Sequence, residues 1–300
     1  MKKCLFALSL LLLSVSASFA QFGYNPNVVN PVLEDDIMFR KIVIRKLNFK
    51  EKQNKGFAPD IDDYNFLYQL YLAISGEADV KPIGLSITPY STGLNILSLG
   101  RVSEEKKIKL PAADLQRIKE EYKSNFDDAN QKYGKEVDPS VFGCVESITD
   151  PTAGVTVNAL QPYGRENIAS LEIIEEVIFD KRRSRMYINI IAFHLLSVCA
   201  DGEKSIAVVK YKEVDRYFRA LYRESNQRLG RWYNPKNERR HMCIMDAFEL
   251  RLFSSRIKQI SNPENKELSE ITNNNITDEL YKAQEAEMEL MEFEHNLWEF

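Results

Sequence analysis

Leu171-Glu172-Ile173-Ile174-Glu175-Glu176-Val177-Ile178-Phe179, the charged connection Asp180-Lys181-Arg182-Arg183-Ser184 and the apolar run from Met186 to Leu196 decide the fold. Two apolar runs joined by a polar connection of hairpin length predict a pair of antiparallel strands. Ile188, Ile190 and Ile191 favour strand in the second run, because branching at Cβ suits a pleated surface. The first run taken alone, Leu171 to Ile178, also suits a helix. Downstream, Ser205 to Tyr211 reads as another strand, and Val214, Tyr217, Phe218, Leu221 and Tyr222 then recur at helical spacing.

A further helix is expected from Asp246. Glu249 stands three residues later in capping-box register, Leu250, Phe253, Ile257 and Ile260 form one stripe, and Asn262-Pro263 ends it. The last helix is expected over about Thr277 to Trp298, with Asp278 and Glu279 at its positive end. Its apolar face follows Leu280, Gln284, Met288, Met291, His295 and Trp298, widened by Leu290, Phe293 and Leu297. Glu285, Glu287, Glu289, Glu292 and Glu294 make the other side acidic, either as a solvated face or as a dock for a basic partner.

Upstream of the hairpin, Ile37 to Phe49 reads as strand or short helix. Tyr64, Leu67, Tyr68, Tyr71 and Leu72 predict a helix capped at Asp62 or Asp63 and stopped at Gly76. Val80 to Ile87 and Leu94 to Leu99 are strand candidates around a Pro- and Gly-punctuated turn, and a helix starts near Pro111. Residues 127–168 read as loops or short strands. The fold class is α+β: mixed short strands or hairpins, several amphipathic helices and a long C-terminal helix. The expected organisation is a leader over 1–20, an extended arm over 21–36, an α+β subdomain over 37–126, an irregular connection over 127–168 and a second α+β subdomain over 169–300.

The leader expectation comes from Lys2-Lys3 before an apolar run and small Ser18 and Ala20 before Gln21, the pattern of a secretory signal peptide. The run is too short for a spanning helix, and Cys4 precedes it, which disfavours lipid attachment. The arm holds Pro26 and Pro31 without apolar periodicity and is expected to lie extended, a form able to rest on another subunit. The formal net charge is -4 and becomes more negative once Lys2 and Lys3 leave, against a nucleic-acid partner. An odd number of cysteines remains, Cys144, Cys199 and Cys243, compatible with one disulfide or with buried thiols. Fourteen tyrosines and sixteen phenylalanines exceed what a polar enzyme surface requires and fit aromatic burial within the chain and against neighbours.

No glycine-rich nucleotide motif and no His-Glu-x-x-His is present, so no cofactor and no catalytic residue is nominated. His241-x-Cys243 offers two zinc ligands but no second pair. His194 and Cys199 would need a remote acid to form a nucleophilic site, and core packing is the plainer account. Arg231-Trp232-Tyr233 followed by Asn234-Pro235-Lys236-Asn237 reads as an interface anchor or as internal packing.

Four blocks in linear order resemble the GldN or PorN family of gliding motility and type IX secretion proteins of Bacteroidota. The first is Asp35 to Leu47 with Lys50-Glu51-Lys52-Gln53-Asn54. The second is Leu70 to Gly76, and the third is Phe179-Asp180-Lys181-Arg182-Arg183-Ser184. The fourth joins Phe253-Ser254-Ser255-Arg256-Ile257 and Ser261-Asn262 to Phe293-Glu294-His295-Asn296-Leu297-Trp298-Glu299. The chain departs from the family pattern at Phe39 and Ile44, where tryptophans are frequent, at Asn48-Phe49 in place of Asp-Leu, and at Asn296 in place of an acid. The resemblance implies a non-enzymatic periplasmic component associated with the outer membrane. Its implied partners are a GldK/PorK-like lipoprotein, neighbouring copies in a ring, and GldM/PorM-like and GldL/PorL-like motor proteins. The interaction candidates are Phe39, Arg45, Arg231, Trp232, Tyr233, Phe253, Phe293 and Trp298.

Overall fold

The charged connection does form the tip of a long hairpin. Asp180 shapes it: its Oδ1 accepts hydrogen bonds from the backbone N–H groups of Arg182 at 2.9 Å and Arg183 at 3.1 Å, leaving Ser184 to close the turn at a φ of 49°. A short polar side chain bonding its own turn in this way is a standard device of loop tips. In the computed structural model of the chain the described residues are 32–59, 65–75, 96–98, 112–134, 139, 142–149, 156–164, 166–168, 170–200, 202–234, 236–237 and 239–297. The leader, residues 21–31 of the arm, the candidate caps Asp62 and Asp63, the strand candidate Val80 to Ile87, and Trp298 lie outside them.

In chain order the elements are β1 (Ile37–Asn48), α1 (Phe66–Ser75), β2 (Ile96–Ser98), α2 (Ala112–Ser124), α3 (Phe126–Tyr133), β3 (Gly143–Thr149) and β4 (Thr156–Pro162). The hairpin strands β5 (Ser170–Asp180) and β6 (Arg185–Cys199) follow, then β7 (Gly202–Lys210), α4 (Tyr211–Glu224), β8 (Arg231–Trp232) and β9 (Met242–Cys243). The chain closes with α5 (Ile244–Glu249), β10 (Arg256–Ile260), α6 (Leu268–Ile271) and α7 (Ile276–Leu297). The fold is mixed α+β. Six strands form one antiparallel sheet in the order β10-β1-β5-β6-β7-β2, and β3 with β4 and β8 with β9 form two small ladders. Ile37 to Phe49 is thus resolved as strand, and residues 127–168 hold a helix and a hairpin.

Successive side chains of a strand point to opposite sides, and β5 displays this plainly. Leu171, Ile173, Glu175, Val177 and Phe179 fall on one side, Glu172, Ile174, Glu176, Ile178 and Asp180 on the other. On the odd side, Leu171 and Ile173 join a large cluster with Leu47, Phe193, Leu195 and Val209, closed by Phe66 of α1, Phe218 of α4 and Phe248 of α5. Phe248 stands 4.7 Å from Phe57 and 5.0 Å from both Phe66 and Phe193, ring centre to ring centre. Tyr122, Phe126, Phe142 and Tyr163 bring the region around β3 and β4 into the same cluster. A smaller cluster lies toward the hairpin tip, where Val43, Val177 and Ile257 meet Ala283 and Ala286 of α7. The bridge Cys144–Cys199 ties β3 to β6 across 55 residues, and Cys243 is a buried free thiol. Closing a loop of that length stabilises the fold by about 4 kcal/mol in the chain-entropy account.

The helix expected from Asp246 to Ile260 is not what forms. α5 starts at Ile244 and stops after Glu249, Arg251 takes a φ of 54°, and the chain turns into β10, which pairs Ile257 with Arg45 and Ile260 with Val43. The four apolar residues do not share a helix face: Leu250, 63% exposed, and Phe253 lie in the turn between α5 and β10, while Ile257 is buried in the sheet. Cys243 rather than Asp246 holds the cap position. In α7 the face turned inward is Ala283, Ala286, Leu290 and Phe293, and Met288 and Met291 of the expected stripe are 51% and 62% exposed. Small alanines allow the helix to approach the sheet closely, which outcompetes the longer methionines for the inner position. The true cap of α1 is Asn65, whose Oδ1 accepts the N–H of Tyr68 at 3.0 Å, a typical role for asparagine.

Candidate interaction surfaces

Most of the aromatic candidates from the sequence make contacts within the chain. Phe39 on β1 meets Phe293 on α7 with ring centres 4.3 Å apart, so the two join the first strand to the last helix. Trp232 is buried beside Phe57, at 6.2 Å. A Cβ added to Gly56 would stand 2.7 Å from its indole nitrogen, so glycine is what admits the ring. Phe253 is partly buried against Phe57 and Phe248, with the Arg251 guanidinium 5.2 Å above its ring. Arg231 pairs across β8 and β9 with Cys243, and Tyr233, 36% exposed, lies 5.2 Å from the His241 ring. His241 Nδ1 accepts the Asn234 N–H at 3.2 Å, and burial pushes the Cys243 thiol up. Among the described residues no group of three His, Cys, Asp or Glu stands ready to hold a metal ion.

Arg45 is the centre of an ion network. Its Nε lies 2.9 Å from Glu175 Oε2 and its Nη1 2.8 Å from Glu287 Oε1 on α7, while Arg251 Nη1 reaches Glu175 Oε1 at 2.8 Å. Glu175 has no exposed surface. An unpaired carboxylate there would cost several kcal/mol, so two guanidiniums bracketing it are a requirement of its burial. The acidic side of α7 is therefore partly engaged within the chain, through Glu287.

The opposite side of the sheet brings together residues that sequence reasoning did not connect. Glu172 on β5 stands directly across from His194 on β6. His194 Nδ1 lies 2.7 Å from Glu172 Oε2, Ser205 Oγ on β7 contacts His194 Nε2, and Lys258 Nζ lies 2.6 Å from the other Glu172 oxygen. Burial alone would raise the Glu172 pKa, but the His194 hydrogen bond and charge and the Lys258 ammonium outweigh it and bring it to about 2. The row borders a cleft of about 530 Å³ beside the start of α7, edged by Lys46, Arg256 and Glu203. Carboxylate, imidazole and hydroxyl in this order can orient a tautomer and withdraw a proton from the hydroxyl. A nucleophilic pairing of His194 with Cys199, which would have needed a remote acid, does not form, because Cys199 is locked in the disulfide; the acid beside His194 is Glu172. The separations of 22 and 11 residues become neighbours only through strand register.

A second cavity, of about 600 Å³, lies between β6 and α5 and is bordered by Ile188, Asn189, Ile190 and Tyr211. Beside it Arg219 joins α4 to α5, reaching Asp215 and Asp246 at 2.6 Å and Glu249 at 3.0 Å.

The order of these elements bears on the resemblance drawn from the four sequence blocks. The first block is β1, the third is the hairpin tip, and the fourth runs from the Arg251–Glu175 corner through β10 to the end of α7. A family model described as gliding motility associated protein GldN matches residues 32–299. The chain belongs to the GldN family. Every described strand and helix falls within the matched residues, so the family signal covers the whole sheet with its helices and not one motif. Membership in the GldN family supports a gliding- and type IX secretion-associated role. A comparison with curated proteins finds no match. No helix among the described residues is long and apolar enough to cross a membrane.

Proposed function

We propose that this GldN-family chain is a non-catalytic periplasmic component of the type IX secretion and gliding machinery. In this reading a GldK/PorK-like lipoprotein holds it at the outer membrane, copies assemble side by side in a ring, and GldM/PorM-like and GldL/PorL-like motor proteins act on that assembly. The carrying observation is the family match over residues 32–299. Two features favour an exported protein: the signal-like Met1 to Ala20 and the Cys144–Cys199 bridge, which suits an oxidising compartment. Exposed apolar side chains on α7, among them Tyr281, Met288 and Met291, suit broad contacts, where aromatic and methionine side chains are enriched.

The test is isolation of outer membranes from cells that retain all partners, followed by capture through a tag on this chain. Recovery of a lipoprotein in stoichiometric amount together with multiple copies of the chain is the expected result. A chain recovered only as a free monomer overturns the reading. One observation favours a second reading, hydrolysis of an acyl or ester bond in the cell envelope: the Ser205–His194–Glu172 row. A fluorophosphonate probe that labels the folded protein, and fails on Ser205→Ala, would establish it; no labelling removes it.

A further inference from the structure

α7 carries two regular faces. Ala283, Ala286, Leu290 and Phe293 turn inward to the sheet. On the outward side Thr277, Tyr281, Gln284, Met288, Met291 and His295 follow one another at alternating steps of four and three residues, all of them exposed. That alternation, a repeat of about 3.5 residues, is the spacing of a coiled-coil seam, whose members are the a and d positions of a heptad. With Tyr281, Met288 and His295 at a, the inward residues fall at c and f. Packing on the sheet thus explains c and f and leaves the second repeat unexplained. Its apolar members are far out in solvent, with Tyr281 68%, Met288 51% and Met291 62% exposed.

The rows beside the seam are uniformly acidic. From Tyr281 to His295 the e positions are Glu285 and Glu292, and the g positions are Glu287 and Glu294. Glu285 meets Lys282 at 2.6 Å and Glu287 meets Arg45 at 2.8 Å. Glu292 and Glu294, one on each side of Met291, make no ion pair among the described residues. Two copies of α7 laid seam to seam would set glutamate against glutamate whether parallel or antiparallel, and like charges at those positions are destabilising. The same rows attract lysine and arginine, the means by which e and g positions select a partner.

The seam itself suits a helix. Methionine offers polarizable, adaptable contact surface, and a polar residue at a core position, as Gln284 is here, fixes register at a cost in stability. Beside the g row a cleft of about 400 Å³, bordered by Met291, Glu294, Ile188 and Phe253, gives an added helix room to sink toward the sheet. The guanidiniums in that cleft do not repel a basic partner, because Arg45 and Arg251 are already neutralised by Glu175 and Glu287.

We propose that the Tyr281, Met288 and Met291 seam of α7 takes a helix of a different protein, apolar at its own a and d positions and rich in lysine or arginine at e and g. The inference rests on the reading of the chain as an assembly component and gives the chemistry of one of its contacts. The glutamate rows keep a second copy off this surface, so contact between copies uses another part of the fold.

The first measurement follows the purified full chain with a fluorescent three-heptad peptide that has leucine at a and d and lysine at e and g. Saturable binding that weakens as salt rises is expected. Glu292→Lys with Glu294→Lys should weaken it about tenfold and admit the mirror peptide with glutamate at e and g. No binding, binding indifferent to the charge reversal, or equal binding of a scrambled peptide of the same composition overturns the proposal. The second measurement places a photo-crosslinking residue at Met291 in cells that retain the envelope partners. A crosslink to a helix of another protein with basic e and g positions is expected. A crosslink to a second copy, to the same chain or to a segment without those basic positions overturns the proposal, as does none in a chain that still co-isolates with outer membrane. Failure of the assembly reading shows separately, as a free monomer in cells whose purified chain still binds the lysine peptide.

Discussion

The two sides of β5 solve burial in opposite ways. On the odd side, Leu171, Ile173 and Val177 enter apolar clusters and the single acid, Glu175, is clamped by Arg45 and Arg251. On the even side, Glu172 and Glu176 are buried beside polar partners, Glu172 hydrogen-bonded to His194 and ion-paired with Lys258, and Glu176 ion-paired with Arg40. Apolar burial is stabilising whatever the pH, whereas buried carboxylates stabilise only while ionised and partnered. The difference teaches that one strand can carry a permanent core and a conditional one.

Phe248→Ala tests the permanent side at its centre and should lower stability by about 4 kcal/mol, measured by denaturant unfolding. A loss below about 1 kcal/mol would mean that the aromatic cluster is not the main store of stability. Glu175→Ala should cost about 3 kcal/mol, because it takes the carboxylate from Arg251 and leaves Arg45 with Glu287 alone. Adding Arg45→Met and Arg251→Met to Glu175→Leu should recover most of that; if it does not, the network contributes more than its own neutralisation.

The conditional side has a pH signature. The Glu172 carboxyl is held at about 2 against an ordinary value of 4.5, so its contribution is complete above about pH 4.5 and is lost as pH falls toward 2. The size is about 3 kcal/mol, and Glu172→Gln should flatten stability over that window; an unchanged pH profile would break the comparison. Phe293→Ala is the mildest, at about 2 kcal/mol, since the ring is partly exposed. It should raise hydrogen exchange in α7 while leaving β5 and β6 protected.

The hairpin was legible because its signal is local: β-branched residues on either side of a charged tip. The end of β10 and α5 was not, because Leu250, Phe253, Ile257 and Ile260 keep helical spacing while Arg251, a residue with no evident turn preference, takes a left-handed backbone. The inner face of α7 was legible only in part, at Leu290 and Phe293, since the pattern of large residues conceals that Ala283 and Ala286 fit the contact. Of the candidate sites, Phe39 and Phe293 could be read as apolar but not as each other's partner. Glu172, His194 and Ser205 depend on register, which is not written in any one segment.

β1 lies between β10 and β5, paired with β5 from Ile37 opposite Asp180 to Asn48 opposite Ser170. A pull on the chain preceding Ile37 runs along the strand axis, while the ladder bonds run across it. All rungs are then loaded together in shear instead of opening one after another like a zipper. The first strand is built as a tension member, and a machine that transmits mechanical work through the N-terminal segment would find its firmest grip there.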